Sequence, residues 1–354
     1  MNPRVESYNL NIFILIFTMS SMVTILGIET TAHTFGAAIV QDKKILSNEK
    51  DAYTTEDGQG GMIPIEVRKH HEVVAPKIYA LALESAGITE DKIDAIAFSN
   101  SPGLAPSLLA GMAFVKELSA KLKIPVVPVN HCVAHLEIGD TVGAKDPVML
   151  YASGANTQII AYEAGKYRVF GETLDLGVGN FIDTFARFAG LGFPGGPKIQ
   201  KLAEESKNKE ELIELPYSIK GMDVAFSGIQ TKLRNLLDKG EDLGRLSYSM
   251  QETVFAMLVE ASERALAHTG KKELVLGGGV ACNSRLQEMC KIMCSERGVK
   301  YFCPERPLLV DNAAMIAYLG QKMFEAGIST DHKHLDMVDI NPRERTDDVE
   351  VTWR

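Results

Sequence analysis

This chain of 354 residues predicts an α/β fold built twice, with two similar halves facing each other across a cleft. Three observations lead there. Residues 23–27 (VTILG) and 148–152 (VMLYA) are nearly continuous apolar runs, the mark of strands buried on both faces. Each run is followed by a small polar loop and then a hairpin. Each half then passes into alternating helices and strands, which implies parallel sheets covered on both sides. The repeat is too long for a solenoid, so it reads as a duplicated domain. Ligands of open α/β sheets bind beyond the carboxyl ends of the strands, which places the cleft at the two polar loops.

The elements follow in order. In the first half, polar residues 29–34 come after the opening strand. A hairpin spans 35–40 and 45–47 around a turn at 41–44. Helices at 66–86 and 107–122 then alternate with strands at 95–99 and 125–129. In the second half the loop is Ser153-Gly154-Ala155-Asn156, and the hairpin runs 157–162 and 167–170 around 163–166. Helices at 180–188, 246–267 and 284–297 alternate with strands at 274–276 and 300–302, and a last helix spans 312–326. The expected division is 22–130 plus 311–354 for one lobe and 131–310 for the other. Residues 1–21 read as an extension ahead of a fold that begins near Met22. Residues 329–354, rich in charge, read as an extended surface tail ending in a short strand-like 349–351.

Composition narrows the function. Apolar residues at 45% and charged residues at 23% fit a folded globular chain and exclude disorder as the main theme. Acidic residues outnumber basic ones 46 to 37, a net charge of −9. Phosphate binding needs Lys and Arg to displace counterions, so nucleic acid would require a local basic patch or a partner. The five cysteines show no CxxC spacing, which fits free thiols in a reducing, cytoplasmic compartment. Cys290 and Cys294 read as core thiols on one helix face. The apolar run at 12–17 falls far short of the roughly 20 residues that span a bilayer, so no membrane association is expected.

The sharpest chemical signal is Asn130-His131-Cys132-Val133-Ala134-His135, which follows a strand and opens a helix. His131 and His135, four apart, share a helical face with metal-ligand spacing. A zinc protease would carry a glutamate directly after the first histidine, where this chain has Cys132. Two histidines packed against the neighbouring lobe would give the same letters. Tyr151, at the end of a strand, and Asp311, before the last helix, are the candidates to complete a site. Taken singly, Tyr151 reads rather as a core aromatic with a bonded hydroxyl and Asp311 as a helix cap. Imidazole, phenolate and carboxylate together suit iron or zinc more than magnesium.

Glycine-rich junctions form the second signal. Residues 153–157 and Gly277-Gly278-Gly279-Val280-Ala281-Cys282-Asn283 each follow a strand, where backbone amides cradle phosphates or simply make tight turns. No P-loop motif is present. The GxGxxG match at 190–195 follows a helix and contains proline, so it is set aside. Asn180 reads as a helix cap, with Asp183 in the first turn beyond it. Asp183 and Glu29 each read as a dipole or loop carboxylate, or as an acceptor for ribose hydroxyls. His70-His71, beside Arg68 and Lys69, reads as a solvated basic patch.

Nine segments in order (GIETTAHTFG, SPGLAPSLLAGMAFVKELS, VNHCVAHLE, YASGANTQ, GNFIDTFAR, FPGGPKI, AFSGIQTKLR, GGGVACNSRL and DNAAMIA) give the chain a specific resemblance. It resembles the archaeal–eukaryotic branch of the tRNA threonylcarbamoyladenosine synthases, the catalytic subunit of the KEOPS complex, from about Met22 to Arg354. That resemblance implies two RNase-H-like domains of the actin/hexokinase/Hsp70 type around a nucleotide cleft. It implies transfer of the threonylcarbamoyl group from threonylcarbamoyl-AMP to the exocyclic amine of adenosine 37 in ANN-decoding tRNAs, with AMP leaving.

Carried over position by position, the resemblance makes His131, His135, Tyr151 and Asp311 the ligands of one metal ion per subunit, iron first and zinc next. It makes Tyr151, Ala152, Ser153, Gly154, Ala155, Asp183, Gly196, Gln200 and Asn283 the contacts to an adenine nucleotide or the acyl-adenylate. Glu29 is the candidate for steering the amine's proton. The chain departs from the family at Ala155, usually glycine, and at Gln200, usually glutamate. The implied partners are tRNA, a kinase subunit, a small dimerising subunit and an enzyme that supplies threonylcarbamoyl-AMP. Lys232 and Arg234 are candidate local contacts to tRNA. The rival readings are an ATP-binding phosphotransferase and a non-catalytic ATP-binding scaffold of the same fold.

Overall fold

A computed structural model describes residues 22–54, 63–207 and 211–354. The expectation for residues 1–21 lies outside the described residues. The first sheet contains β1 (Thr24–Glu29), β2 (Thr34–Gln41), β3 (Lys44–Ala52), β4 (Ala95–Ser101) and β5 (Val126–Asn130). Helices α1 (Pro64–Ala86) and α2 (Ala105–Leu122) lie between its strands in sequence, and α3 (His131–Glu137) leaves β5 directly. The second sheet opens with β6 (Val148–Ala152), β7 (Thr157–Glu163) and β8 (Lys166–Glu172). Then come α4 (Val178–Phe188), α5 (Gly196–Glu205), the small ribbon β9 (Ile219–Lys220) and β10 (Asp223–Val224), α6 (Ser227–Asp238) and α7 (Leu243–Thr269). The chain continues through β11 (Glu273–Gly277), α8 (Ser284–Arg297), β12 (Lys300–Phe302), α9 (Arg306–Leu309) and α10 (Ala313–Glu325).

The strand orders are β3-β2-β1-β4-β5 and β8-β7-β6-β11-β12, one plan used twice. In each sheet the opening strand pairs antiparallel with the hairpin and parallel with the next strand (β1 with β2 and β4, β6 with β7 and β11). All six residues of β1 and all five of β6 are buried, as apolar runs covered on both faces require. The hairpin turns are tighter than the sequence suggested. Only Asp42-Lys43 and Ala164-Gly165 lie between the strands, all four at positive φ (47°, 64°, 52° and 81°). That is the two-residue turn whose twist matches the flanking strands, so pairing extends into both predicted four-residue turns.

α10 returns to the first sheet at backbone distance. A Cβ on Gly27 of β1 would stand 2.3 Å from the Ala313 carbonyl, and one on Gly320 of α10 would stand 2.2 Å from Ala97 Cβ. This close seat fixes the start of α10, and with it Asp311, relative to β1.

Three expectations are corrected. The tail does not lie loosely on the surface and forms no strand at 349–351. Val338 and Thr346 are buried, and Val349, Val351 and Trp353 pack onto the core. Helix α4 begins two residues before Asn180, with Gly177 as its cap, because Gly177 and Gly179 let the backbone close on the 153–155 loop; Asp183 therefore sits in the second turn. Helices α5 and α6 went unread because glycine, proline and scattered charge hide their short apolar faces. Cys290 and Cys294 are core thiols as expected.

The third correction concerns His70-His71, which is not a solvated patch. His71 is buried, with Nε2 on the Ala32 carbonyl at 3.0 Å and its ring edge-on to Phe35, while His70 pairs with Asp51 at 2.8 Å. Burial drives the His71 pKa down to about 4, against the raising effect of the Ala32 carbonyl. The unfolded chain then takes up a proton near pH 6.5 that the folded chain refuses until about pH 4, so stability falls as pH drops through that window. The loss from this one residue reaches about 3 kcal/mol. Urea midpoints at pH 7 and 4.5 should converge in His71→Gln relative to the parent, and an unchanged pH slope would refute the assignment.

Candidate metal and nucleotide site

β5 ends at Asn130, whose side chain accepts from the Val133 N–H at 3.1 Å and caps α3. The cap sets the first turn so that His131 and His135 face one side, their ring centroids 4.7 Å apart. Tyr151, near the end of β6, reaches the same point, its hydroxyl 3.1 Å from His131 Nε2. Asp311 arrives from the loop before α10, Oδ1 lying 3.4 Å from His131 Nε2 and 3.6 Å from His135 Nε2. Asn312, not Asp311, caps α10, accepting from the Met315 N–H at 3.0 Å; Asp311 is thus left for the histidines.

These residues fit a metal. His131, His135 and Asp311 each offer a ligand atom within 4.8 Å of the others. Both nitrogens of the buried His135 ring lack a hydrogen-bond partner, a costly state that a coordinated ion relieves at one nitrogen. Behind the site, Glu29 is 0% exposed and accepts from His131 Nδ1–H at 3.0 Å. Its other oxygen accepts from the Thr31 N–H at 2.7 Å and hydroxyl at 2.5 Å. The carboxylate thereby fixes the His131 tautomer and turns Nε2 toward Tyr151 and Asp311.

Glu29 and Asp311 make the field at His131 favour positive charge. Burial alone would lower the His131 pKa, but Glu29 and Asp311 outweigh it and hold the ring well above its ordinary value. Burial depresses His135, raises Tyr151, and would raise Asp311, yet the two imidazoles hold Asp311 well below the usual carboxylate range.

The glycine junctions stand against this cluster. A Cβ on Gly277 would lie 3.6 Å from both the His135 side chain and the Tyr151 ring. At Gly278, whose φ is +91°, a Cβ would run into the Ala152 carbonyl and the Ser153 N–H. Gly154, Ala155 and Gly279 are exposed, and their N–H groups meet no acceptor among the described residues. Ser153 and Gly154 accept from the N–H groups of Gly179 and Asn180 at 3.0 and 2.9 Å, seating the loop on the start of α4.

Asp183 accepts from the Gly195 N–H at 2.7 Å, just before Gly196 at the start of α5, and burial raises its pKa. Gln200 of α5 donates to Glu204 at 2.8 Å and Ser284 at 3.0 Å. Asn283 caps α8 and donates to Gln251 at 2.9 Å, so its side chain has structural duties as well. His33 meets Phe193 edge-on at 5.9 Å across the cleft edge. Glu29 lies behind His131 rather than open to the cleft, and the Thr31 contact that holds it escaped the sequence reading. Its only trace there was a threonine two residues after the glutamate.

A profile of the family described as tRNA N6-adenosine threonylcarbamoyltransferase matches residues 44–318. The tRNA N6-adenosine threonylcarbamoyltransferase of Thermococcus kodakarensis is 52% identical over 329 residues, covering 93% of this chain and 99% of that one. The chain belongs to the tRNA N6-adenosine threonylcarbamoyltransferase family. It is an enzyme of this type, and its His-His-Asp group can hold a metal ion. A probable bifunctional tRNA threonylcarbamoyladenosine biosynthesis protein of Methanosarcina mazei is 49% identical over 333 residues, 93% of this chain but 59% of that longer one.

Solved structures extend the fold beyond the threonylcarbamoyltransferases. Full-length HypF superposes with a TM-score of 0.56 at 13% identity over 86% of this chain and 56% of that one. The activator of the 2-hydroxyisocaproyl-CoA dehydratase from Clostridium difficile gives 0.50 at 11% identity over 87% and 98%. Both likenesses concern the fold, the duplicated actin/hexokinase/Hsp70-type architecture that the two matching sheets display.

Proposed function

We propose that this threonylcarbamoyltransferase takes threonylcarbamoyl-AMP as donor and the N6 amine of adenosine 37 in ANN-decoding tRNAs as acceptor. The observation that carries this is the meeting of His131, His135, Tyr151 and Asp311 beside two glycine junctions with unpaired N–H groups. The amine nitrogen bonds to the carbamoyl carbon, the bond from that carbon to the phosphate oxygen breaks, AMP leaves with the electron pair, and the amine gives up a proton.

His131, His135, Tyr151 and Asp311 would hold the metal, with iron favoured by the phenolate and zinc next. Bound there, a metal would supply Lewis acidity toward the threonyl end and the acyl carbonyl. The protein's own groups do the rest. The N–H groups of Gly154, Ala155 and Gly279 face the leaving phosphate, where preorganised donors stabilise developing charge. Tyr151, Ala152 and Ser153 line the same edge. Asp183 accepts from ribose hydroxyls, and Gly196, Gln200 and Asn283 border the nucleoside. Glu29, enclosed behind His131, positions that ring and takes no direct part in moving the amine's proton. The Ala155 methyl narrows the approach to the phosphate, and Gln200 offers ribose a hydrogen bond without charge.

The cleft separates a lobe of 22–130 plus 311–354 from one of 131–310. The protein acts in the cytoplasm as the catalytic subunit of a KEOPS complex, with a kinase subunit and a small dimerising subunit. A separate enzyme supplies the acyl-adenylate. No helix among the described residues is long and apolar enough to cross a membrane. The test is nucleoside mass spectrometry after mixing the protein, its kinase and dimerising partners, threonylcarbamoyl-AMP and tRNA. Modified adenosine should appear, and ATP-dependent phosphorylation with no modified adenosine would favour the phosphotransferase instead.

At −9 overall, the lone subunit repels tRNA. Arg234 lies over Phe188 at 4.9 Å on α6, with Asp238 4.0 Å away, and remains an exposed candidate for local tRNA contact. Filter binding at moderate salt should show weak tRNA affinity for the lone subunit and recovery when the partners are added. Tight binding without them would count against this division of labour.

A further inference from the structure

We propose that the C-terminal strap, residues 341–354, positions the metal-ligand helix, with Glu344 and Arg354 holding its two ends. α3 has seven residues, too few to persist without tertiary support. The strap supplies that support from both directions. The Asn341 N–H donates to the Asn100 carbonyl at 2.9 Å, and the Gly103 N–H donates to the Pro342 carbonyl at 3.2 Å, fixing the strap along the end of β4. Glu344 then accepts from the Ser101 hydroxyl and from Asn130 Nδ2, the latter at 2.9 Å. Asn130 is the cap of α3, and His131 is the next residue. Glu344 therefore orients the cap from behind, leaving Asn130 Oδ1 for the Val133 N–H.

The strap next crosses to the second sheet. Arg345 reaches Glu172 at 3.2 Å, and the buried Thr346 donates to Gln158 at 3.2 Å. Val349, Val351 and Trp353 pack onto the core that joins the two sheets and includes Val133 and Leu136 of α3, with the Trp353 ring 6.3 Å from that of Tyr167. At the end, the Arg354 guanidinium donates to Glu137, the last residue of α3, at 2.9 Å from Nε and 2.5 Å from Nη2. The same guanidinium lies over Tyr162 at 4.5 Å and Tyr167 at 5.6 Å. Glu137 is 1% exposed and also accepts from Lys322 and the Tyr167 hydroxyl. Both imidazoles thus hang on a short helix whose termini are pinned by one segment that touches both lobes. Neither residue touches the ligand cluster; each acts through α3.

Two readouts separate positioning from simple clasping. Hydrogen exchange of the α3 amides in metal-free protein reads the helix directly. Cobalt(II), titrated as a spectroscopic probe, reads the ligand set; this arm rests on the metal reading above. Glu344→Ala and Arg354→Ala should each speed exchange of Cys132–Glu137 by about tenfold or more, with β1 and β7 unchanged. Cobalt affinity should fall by about tenfold or more, as for other residues that orient ligands, with altered d–d absorption. Arg354→Lys should restore most of the exchange protection. Parental α3 exchange in both alanine variants would overturn the proposal, whatever happens to the melting temperature. If the parent binds no cobalt in a His131-dependent way, the metal reading fails, and the exchange arm still decides the strap.

Discussion

His131→Ala should lose threonylcarbamoyl transfer by more than about 100-fold, because even residues that only orient a metal ligand cost 10- to 100-fold when removed. The substitution deletes one nitrogen at the centre of the cluster, 3.1 Å from the Tyr151 hydroxyl and 3.4 Å from Asp311. It also strands Glu29, whose carboxylate is fully buried and keeps only Thr31. Breaking a buried pair on one side costs about 3–5 kcal/mol, so the variant should melt early as well as fail in the assay. Asp311→Asn separates the two effects. Asp311 is 19% exposed at the cleft wall, and the cap of α10 belongs to Asn312, so the fold should survive while metal affinity and transfer fall together. Thermal melts, metal titration and the nucleoside assay, run on both variants, give the answer. Full transfer activity in Asp311→Asn would remove the ion from the reaction. A phosphotransferase or scaffold would keep its nucleotide binding in both.

Much of this was legible in the residues themselves. The two buried runs at 23–27 and 148–152 announced the duplication, since only strands covered on both faces tolerate such continuous apolar sequence. The structure repeats the same strand order in both sheets. His131 and His135 declared themselves by helical spacing. Tyr151 and Asp311, distant in sequence, entered only as candidates to complete the site. Their meeting depends on β6 and β11 lying side by side and on the Gly27–Ala313 approach that seats α10, which are tertiary facts.

In the sequence Glu29 reads as a loop carboxylate, and its engagement with His131 is invisible there because the two stand 102 positions apart. The tail misled for a related reason. Its charged residues look solvent-facing, yet Glu344, Arg345 and Arg354 each find a specific partner, and Trp353 finds the core. His71 misled in the same way: beside Arg68 and Lys69 it looked wet, but the helix turns it inward against Phe35.

The second large effect concerns the glycines at 277–279, where neighbouring positions should respond differently. Gly278 has φ +91° and ψ 160°, a backbone region that is essentially closed to other residues. A Cβ there would also stand 2.4 Å from the Ala152 carbonyl and 3.0 Å from the Ser153 N–H. Gly278→Ala must therefore push the two glycine junctions apart. Backbone strain of about 1–3 kcal/mol is the minimum cost to stability, and AMP binding should weaken because the displaced junctions no longer aim their N–H groups together. Gly279 is exposed, has no strained φ, and a Cβ there would meet nothing within 4 Å. Gly279→Ala should then fold as well as the parent and yet bind AMP less tightly, because in the proposed placement of the phosphate the added methyl crowds an unpaired N–H. Calorimetric titration with AMP beside thermal unfolding distinguishes the cases. If Gly279→Ala binds AMP like the parent, the junction is a packing turn and the phosphate lies elsewhere; if Gly278→Ala melts like the parent, the close seat of the two loops is not what holds the cleft together.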